Sequence, residues 1–336
     1  MNTAIPATAT LRSSSSAVDT FSPFKVQHFE CADVDQLAAS MTGWQLTADQ
    51  LSTGAFHGQL SEIRIDGLQL FHERINRIVL KRGAARDGAL VFSVPIRTEG
   101  AAYCGDVALG GSELLISDGA CLPELCTPVS HDIAVVALAA DSLEKLSMLL
   151  RGTAFPSFHG TRVVALSAMR RAALSNCLSE AFSAARADER LTVYPQLRKS
   201  LHDSVVLDLA TAASETHEVV RLDLATRRRI IDRVRELVLS QPDKPLTVLD
   251  LCVAVGASRR KLQYCFEEML GTHPGHYVRA LRLNAVRREL RVGSVGTTSV
   301  SDVAARWGFW HLSRFSAHYR ELFGELPSHT LISPSR

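Results

Sequence analysis

The chain has 336 residues, of which 46% are hydrophobic and 21% are charged, and its formal net charge is +2. This length favours two domains, each large enough to bury its own core. No apolar run reaches the length of a membrane span, and the first residues lack the pattern of a secretory signal. The composition therefore predicts a cytoplasmic protein that makes no contact with a membrane.

The N-terminal part of the chain has the sequence pattern of a β-rich module. Residues 1–18, with four consecutive serines at 13–16, are predicted to be a disordered tail. From 19 to 160 glycines are frequent, and apolar and polar residues alternate around Asp66-Gly67, a typical hairpin signal. Asp118-Gly119 is a second signal of the same kind. A small barrel or sandwich suits this segment.

The pattern becomes helical over residues 161–224. Leu197, Leu201, Val205 and Leu209 form an i, i+4 ladder, which is typical of one buried helix face. Two interpretations of this helical connector stay open. Its helices either pair two protomers in a homodimer or pack onto the predicted sheet.

An internal repeat marks the C-terminal part, residues 225–336. "TVLDLCVAVG" aligns with "SVSDVAARWG" at a shift of 52, and "SRRKLQYCFEEMLGTHP" aligns with "HLSRFSAHYRELFGELP" at a shift of 53. Gly256 thereby aligns with Gly308, and Gly271 with Gly324. A repeat at a fixed shift indicates a duplicated supersecondary unit.

Each repeat predicts two helices joined by a tight turn. Thr247 with Asp250, and Ser299 with Asp302, have the spacing of a capping box at the start of the first helix of each pair. The glycine that ends each first helix permits the sharp turn of a helix-turn-helix unit. The predicted units are 247–271 and 299–324, joined by a helix over 274–291. At 1.5 Å per residue that helix spans roughly 25 Å, which can hold two recognition helices about one DNA turn apart.

Charge is distributed unevenly between the two parts. Residues 225–336 carry 18 Lys and Arg against 10 Asp and Glu, a net charge of +8, whereas residues 1–224 carry a net charge of −6. A basic C-terminal domain joined to an acidic module favours phosphate binding at one end only. The predicted fold class is therefore α+β, with a β-rich N-terminal module, a helical connector and an all-α C-terminal DNA-binding domain.

The C-terminal repeat resembles the arabinose-regulator (AraC/XylS) family of transcription factors. The residues that carry the resemblance are Gly308, Phe309, Phe315, Tyr319, Phe323, Gly324 and Pro327. The family's usual Ser at the start of the second recognition helix is His311 here, which leaves open how that helix is capped. The resemblance implies a ligand-responsive regulator, most often an activator, that binds double-stranded DNA beside RNA polymerase.

The two predicted recognition helices supply the candidate DNA contacts. Residues early in a recognition helix reach base edges, where Arg pairs with guanine and Gln with adenine. The shorter outward residues of the second helix can meet thymine methyl groups. The candidate base contacts are Arg260, Gln263, Tyr264, Ser313, Ser316 and Ala317, and the candidate phosphate contacts are Arg259, Lys261, His311, Arg314 and His318.

The effector is implied only by resemblance. "GAFHGQLSEI", "LQLFHE" and "LCTP" are similar to segments of the ethanolamine-utilisation regulators of that family, which implies ethanolamine with adenosylcobalamin as effectors. The effector-binding residues are not specified by the sequence, and an unrelated ligand is equally compatible with it. No cofactor is expected to be required.

Two other classes of protein compete with the regulator. A metal-dependent, cupin-like enzyme fused to a DNA-binding domain would need clustered ligands, and His57, His72 and Glu73 are the best such set. An architectural DNA-binding protein without an effector would leave the β-rich module without a task. The seven cysteines include no C-x-x-C motif, so free thiols and no metal site are expected. The sequence therefore predicts a protein that is not an enzyme.

Overall fold

A computed structural model describes residues 24–105, 107–151, 160–187, 190–214, 219–221 and 225–332. The predicted disordered tail, residues 1–18, lies outside the described residues. No helix in these ranges combines the length and apolar character that would be needed to cross a lipid bilayer.

Two antiparallel sheets form the N-terminal module within the described ranges. The first sheet has the strand order β1-β3-β4-β11-β6-β9-β12-β13, and the second has the order β2-β5-β10-β7-β8. The strands of the first sheet are β1 Phe24–Cys31, β3 Gly58–Ile65, β4 Leu68–Ile75, β6 Ala89–Glu99, β9 Glu113–Asp118, β11 Ser130–Ala139, β12 Thr161–Ala165 and β13 Val219–Arg221. Those of the second are β2 Gln45–Gln50, β5 Val79–Ala84, β7 Ala102–Cys104, β8 Val107–Leu109 and β10 Leu122–Cys126.

Strand β11 shows how the first sheet comes to be covered on both faces. Its sequence is an almost unbroken apolar run, and successive side chains of a strand point to opposite faces. Ile133 and Val135 therefore lie in the core between the two sheets, whereas Ala134 and Val136 lie in the core beneath the connector helices. An apolar run of this kind is typical of a strand that is buried on both sides.

Five helices accompany the sheets: α1 Val34–Ser40, α2 Ala140–Arg151, α3 Ala168–Ala187, α4 Arg190–Val193 and α5 Pro195–Ser214. Helices α3 and α5 pack on each other and on the outer face of the first sheet. Of the predicted ladder, Val205 and Leu209 are buried and Leu197 is exposed. Docking onto the sheet is thus observed, and pairing of two protomers stays a prediction.

The boundaries of the connector differ from the prediction. Strands β12 and β13 lie inside 161–224, the segment predicted to be a helical connector, and β12 pairs with β9 of the N-terminal module. The boundary at residue 160 therefore divides one continuous sheet. The short, β-branched strand β12 lacks the alternation by which the longer strands were recognised, and only its pairing partner identifies it.

The two Asp-Gly signals have different outcomes. Asp66 and Gly67 both adopt positive φ between β3 and β4, so this hairpin prediction is confirmed. Asp118-Gly119 does not form a hairpin, because β9 lies in the first sheet whereas β10 pairs with β5 and β7 of the second. This dipeptide instead begins a crossing between the sheets.

The C-terminal part consists of helices and the turns that connect them over its described residues. Its helices are α6 Ala225–Ser240, α7 Val248–Val255, α8 Arg259–Leu270, α9 Pro274–Val292, α10 Val300–Arg306, α11 Leu312–Phe323 and α12 Pro327–Ile332. They share one core, in which Phe266, Tyr277, Phe315 and Tyr319 are fully buried. Helix α9 lies at the centre and contacts α6, α8, α10 and α12. The short helix α12 was not anticipated from the sequence.

The long helix α9 also covers a free edge of the N-terminal module. Strand β2 is the edge strand of the second sheet, and an uncovered edge leaves backbone groups unpaired. The Asn284 side chain pairs with both backbone groups of Gln50, accepting from its N–H at 3.0 Å and donating to its carbonyl at 2.9 Å. Arg288 reaches Asp35 and Asp49 at 2.7 and 2.8 Å, and Arg291 pairs with Asp33.

A second contact between the N-terminal module and the C-terminal part is made by helix α6. Arg235 of α6 pairs with Glu124 of β10 and donates to the Tyr277 hydroxyl at 3.1 Å. Burial raises the pKa of the Glu124 carboxyl, although the positive charge of Arg235 opposes that shift. The pair is thus largely removed from solvent.

Candidate nucleic-acid interface

The first helix pair, α7 and α8, is defined by local signals in the sequence. Thr247 accepts from the Asp250 N–H at 3.2 Å, and the Asp250 carboxylate accepts from the Thr247 N–H at 2.8 Å. The hydrogen bonds that the Asp250 carboxylate accepts from the Thr247 N–H and from the Thr247 hydroxyl lower the pKa of Asp250. Gly256 ends α7 at φ +64°, a conformation that residues with a side chain rarely adopt. Ser258 then caps α8 by accepting from the Lys261 N–H.

The second helix pair, α10 and α11, repeats this arrangement with weaker caps. Ser299 accepts from the Asp302 N–H at 3.4 Å, and Gly308 has φ +77°. His311 occupies the N-cap position of α11 but makes no side-chain hydrogen bond to the helix. Because His311 stands where the family usually has Ser, helix α11 has no side-chain cap.

The difference between the caps predicts a difference in stability. We expect Thr247→Ala to lower the free energy of unfolding by about 1 kcal/mol, because it removes both hydrogen bonds of the Thr247 hydroxyl, one accepted from the Asp250 N–H and one donated to the Asp250 carboxylate. Ser299→Ala is the matched control and should cost less, since Ser299 accepts from the Asp302 N–H at the longer distance of 3.4 Å and its other hydrogen bond is to the exposed hydroxyl of Ser301. Urea unfolding of the full chain measures both values. Equal losses would contradict the assigned caps.

Helix α8 exposes its predicted contact residues along one side. Leu262, Cys265 and Phe266 are buried in the C-terminal core. The exposed residues are Arg259, Arg260, Lys261, Gln263 and Tyr264. The side-chain amide of Gln263 donates to Glu267 at 3.0 Å, so that bond must open or shift before Gln263 can bind a base. The helix thus presents a basic surface whose first turn is solvent-accessible, as a major-groove reader requires.

The predicted contact residues of helix α11 differ in exposure to solvent. The exposed residues are His311, Ser313, Arg314 and Ala317, and Ser316 is half-buried. His318 is half-buried and lines a small crevice with Thr53, His276 and Arg279. Burial lowers the pKa of His318, and the positive charges of Arg279 and Arg314 lower it further. A charge-based phosphate contact by His318 is thus disfavoured, because its imidazole faces α9 and stays neutral.

The side chains proposed as metal ligands, His57, His72 and Glu73, do not form a metal site. His72 and Glu73 are neighbours on β4, so their side chains point to opposite faces of the sheet. His72 pairs with Asp132 at 2.6 Å, whereas Glu73 pairs with Lys81. No group of three His, Cys, Asp or Glu side chains within the described ranges is arranged to hold a metal ion. The seven cysteines are free thiols.

A cavity between the two sheets was missed by the sequence analysis. It encloses about 590 Å³ of space free of protein atoms, part of which is open to solvent. Its ionisable lining residues include Glu73, Lys81 and His131. The one sequence signal that could have indicated it is His131, a polar residue at the start of the apolar strand β11.

The C-terminal part of the chain matches a known family model. Residues 251–332 match the family described as "Helix-turn-helix domain". The "Probable thc operon regulatory protein" of Rhodococcus erythropolis is 38% identical over 88 residues, which are 26% of this chain and 26% of that protein. The "XylDLEGF operon transcriptional activator 2" of Pseudomonas putida is 34% identical over 125 residues, 37% of this chain and 80% of that protein.

The chain is also similar in part to solved structures. One of them is an AraC-type DNA-binding transcriptional regulator from Chromobacterium violaceum, with 31% identity, a TM-score of 0.29, and coverage of 32% of this chain and 93% of that one.

The match spans about a quarter to a third of the length of the first relatives, so it does not carry over their whole activity. The smaller P. putida activator, by contrast, is covered over four fifths of its length. The exposed basic helix, the repeated helix pair and this relative together show that the chain belongs to the AraC/XylS family of DNA-binding transcriptional regulators.

Proposed function

We propose that the chain is an effector-responsive activator that reads DNA with two helix-turn-helix units in one monomer. The observation that carries this proposal is the repeated helix pair, whose second helices α8 and α11 both expose polar residues on the side away from the shared core. Helix α9 packs between the pairs and fixes their spacing. The two second helices would enter successive major grooves on one side of the duplex.

Specificity depends mainly on the first unit in this proposal. Arg260, Gln263 and Tyr264 contact base edges, while Arg259 and Lys261 bind phosphates and set the register. In the second unit Ser313, Ser316 and Ala317 are the base contacts, with His311 and Arg314 on the backbone. Short side chains discriminate less between bases than Arg or Gln do, so the second unit contributes affinity more than specificity.

The N-terminal module provides the response to a small molecule. The cavity between the sheets is the proposed effector site. The resemblance to ethanolamine-utilisation regulators suggests ethanolamine and adenosylcobalamin as effectors. Adenosylcobalamin is far larger than this cavity and would need to bind at another surface. Activation would involve contact with RNA polymerase. Val193 of α4, Leu197 of α5 and Tyr194 between the two helices are exposed, which supports pairing of two protomers through the connector.

A chain of ion pairs connects the cavity to the DNA-binding part. Lys81 of β5 lines the cavity, and the next residue, Arg82, points to the opposite face of the strand, where its guanidinium contacts Asp49 at 2.8 Å. The same carboxylate accepts from Arg288 of α9, also at 2.8 Å. A ligand that displaces β5 through the cavity side would shift Arg82 relative to Asp49 and so change how α9 is fixed against β2. The spacing of the two units would then depend on the effector.

A DNase footprint of the full-length protein on the DNA beside its own gene tests this function. Protection of two adjacent major-groove segments that changes with an effector would support both two-unit docking and effector control. Protection that no effector alters would support an architectural DNA-binding protein instead. Absence of any protected site would contradict regulation at that locus.

A further inference from the structure

Trp310 is a large apolar side chain that lies in solvent, in the turn between the two helices of the second pair. It is 64% exposed, whereas its neighbours Trp307 and Phe309 pack against the C-terminal core. Trp307 donates its indole N–H to Glu289 at 2.8 Å. The ring of Phe309 lies 5.2 Å from the ring of Phe315. Within the part of the chain that the structure describes, Trp310 has neither a hydrogen bond nor a ring contact of this kind.

The turn that holds Trp310 is one residue longer than the turn of the first helix pair. In the first pair a single residue, Ala257, lies between the turn glycine and the N-cap residue of α8. In the second pair two residues lie between Gly308 and the N-cap residue His311 of α11. The first of the two, Phe309, fills the core, so Trp310 is left facing solvent directly before the N-cap.

The surroundings of Trp310 favour a polyanion as its partner. A single exposed apolar side chain is common on proteins and needs no explanation. Trp310, however, is followed by three more exposed residues with a role at the start of α11: His311, Leu312 and Arg314. Apolar and basic groups thus alternate where the helix begins. Residues 225–336 carry a net charge of +8, which opposes the approach of a second copy of this domain and attracts DNA.

The place of Trp310 relative to α11 decides which part of the DNA it can reach. The first residues of a recognition helix reach base edges inside the major groove. The turn before that helix lies at the rim of the groove, where sugars and phosphates are the available groups. Trp310 is in this turn, one residue before the N-cap. We therefore expect its side chain to lie beside the DNA backbone and not at a base edge.

We propose that Trp310 is a DNA-backbone contact of the second unit, in which the indole N–H donates to a phosphate oxygen and the ring packs against the adjacent deoxyribose. An indole N–H is a donor only, and hydrogen bonds to an ionised acceptor are among the stronger ones. The contact adds affinity that does not depend on base sequence. Because the indole carries no charge, it displaces no counterion, unlike a Lys or Arg contact. The inference rests on the proposed function, since it requires that α11 enters the major groove.

Mobility-shift titrations of the full-length chain over a salt series test the proposal. Trp310→Ala should weaken binding about tenfold, both to the specific site and to its single-base variants, because a bond to an ionised phosphate is lost. The slope of log K against log salt should stay at the native value. Trp310→Phe keeps a ring but loses the N–H, so its affinity should lie between those of the native protein and Trp310→Ala.

Lys261→Ala is the matched control for the salt series. Its loss should also be uniform over DNA sequences, but the salt slope should fall by about one, because a charged contact is removed. Native affinity in Trp310→Ala would overturn the proposal. A loss confined to one base pair would overturn it as well, since that result describes a base contact, and so would a salt slope reduced as in Lys261→Ala.

Intrinsic fluorescence gives a readout that a purely structural role would not change. The chain has three tryptophans, and the other two, Trp44 and Trp307, are half-buried with their indole N–H groups bonded to side chains. The emission of the native protein should move to shorter wavelength when DNA is added, because Trp310 leaves water. Trp310→Phe should abolish this change, whereas Trp44→Phe should keep it. A change that persists in Trp310→Phe would contradict the assignment.

Failure of this inference can be told apart from failure of the proposed function. A native protein that binds no DNA would contradict the proposed function and the Trp310 contact with it. DNA binding by the native protein that Trp310→Ala leaves unchanged would contradict the Trp310 contact alone. Urea unfolding of Trp310→Ala should give the native midpoint, since the side chain does not pack in the core. A changed oligomeric state without a loss of DNA affinity would assign Trp310 to a protein interface and overturn the proposal.

Discussion

Replacing Arg260 with alanine is expected to weaken binding of the full-length chain to its specific DNA site by about 1–3 kcal/mol, roughly 5- to 150-fold. Arg260 lies in the first turn of α8, where it is exposed, and its planar guanidinium can donate two parallel hydrogen bonds to one guanine. The loss should be confined to discrimination at one base pair. Mobility-shift titrations against single-base variants of the site, at fixed salt, measure it.

Lys261→Ala is the matched control for Arg260→Ala. Lys261 is the next residue of the same exposed turn, but it is assigned to a phosphate. Its removal should weaken binding to every DNA sequence alike and reduce the salt dependence by about one phosphate contact. If Arg260→Ala gave the same uniform loss, Arg260 would be a phosphate contact and specificity would have to arise elsewhere.

Asn284→Ala is expected to weaken the docking of α9 on strand β2 by about 2–4 kcal/mol, because two buried backbone groups of Gln50 lose their partner. Asn284 is 1% exposed, and its amide satisfies both the N–H and the carbonyl of Gln50. Hydrogen exchange at the Gln50 amide reports this docking directly. The amide should lose protection in the variant, while the amides in the centre of β11 keep theirs.

Arg288→Ala gives the comparison that shows which contact dominates. Arg288 makes two ion pairs across the same surface, but its side chain is 31% exposed. Solvent screens such pairs, and partly exposed ion pairs contribute about 1 kcal/mol or less. The Gln50 amide should therefore lose much less protection in Arg288→Ala than in Asn284→Ala. The opposite order would mean that charge, rather than satisfaction of the edge strand, holds the two parts together.

The sequence predicted the C-terminal helices well because their signals are local. The capping box at Thr247 and the glycine turns at 256 and 308 act within a few residues of themselves. Helix α6 likewise buries Ile230, Val234 and Val238, as its 3.6-residue period predicts. The outward side chains of α8 follow from the same period, since burial of Leu262 and Phe266 fixes the rotation of the helix.

The N-terminal module was harder to predict because strand pairing joins distant residues. Asp66-Gly67 and Asp118-Gly119 are the same dipeptide, yet only the first forms a hairpin. The difference lies in the partner of the next strand, which is chosen by burial of the whole sheet. Strand β12 likewise depends on β9, some 45 residues earlier in the chain, for its pairing.

By itself the sequence determined the duplicated helix pairs, the capping box at Thr247, the exposed basic face of α8 and the separation of basic and acidic halves. Each of these depends on periodicity or on neighbours within one helical turn. Only the tertiary structure decided that α9 covers the edge of β2, that His318 turns toward Arg279, and that His131 is left unpaired beside a cavity. These features arise where elements far apart in the chain bury their surfaces together, and no local pattern records which polar groups remain without a partner when they do.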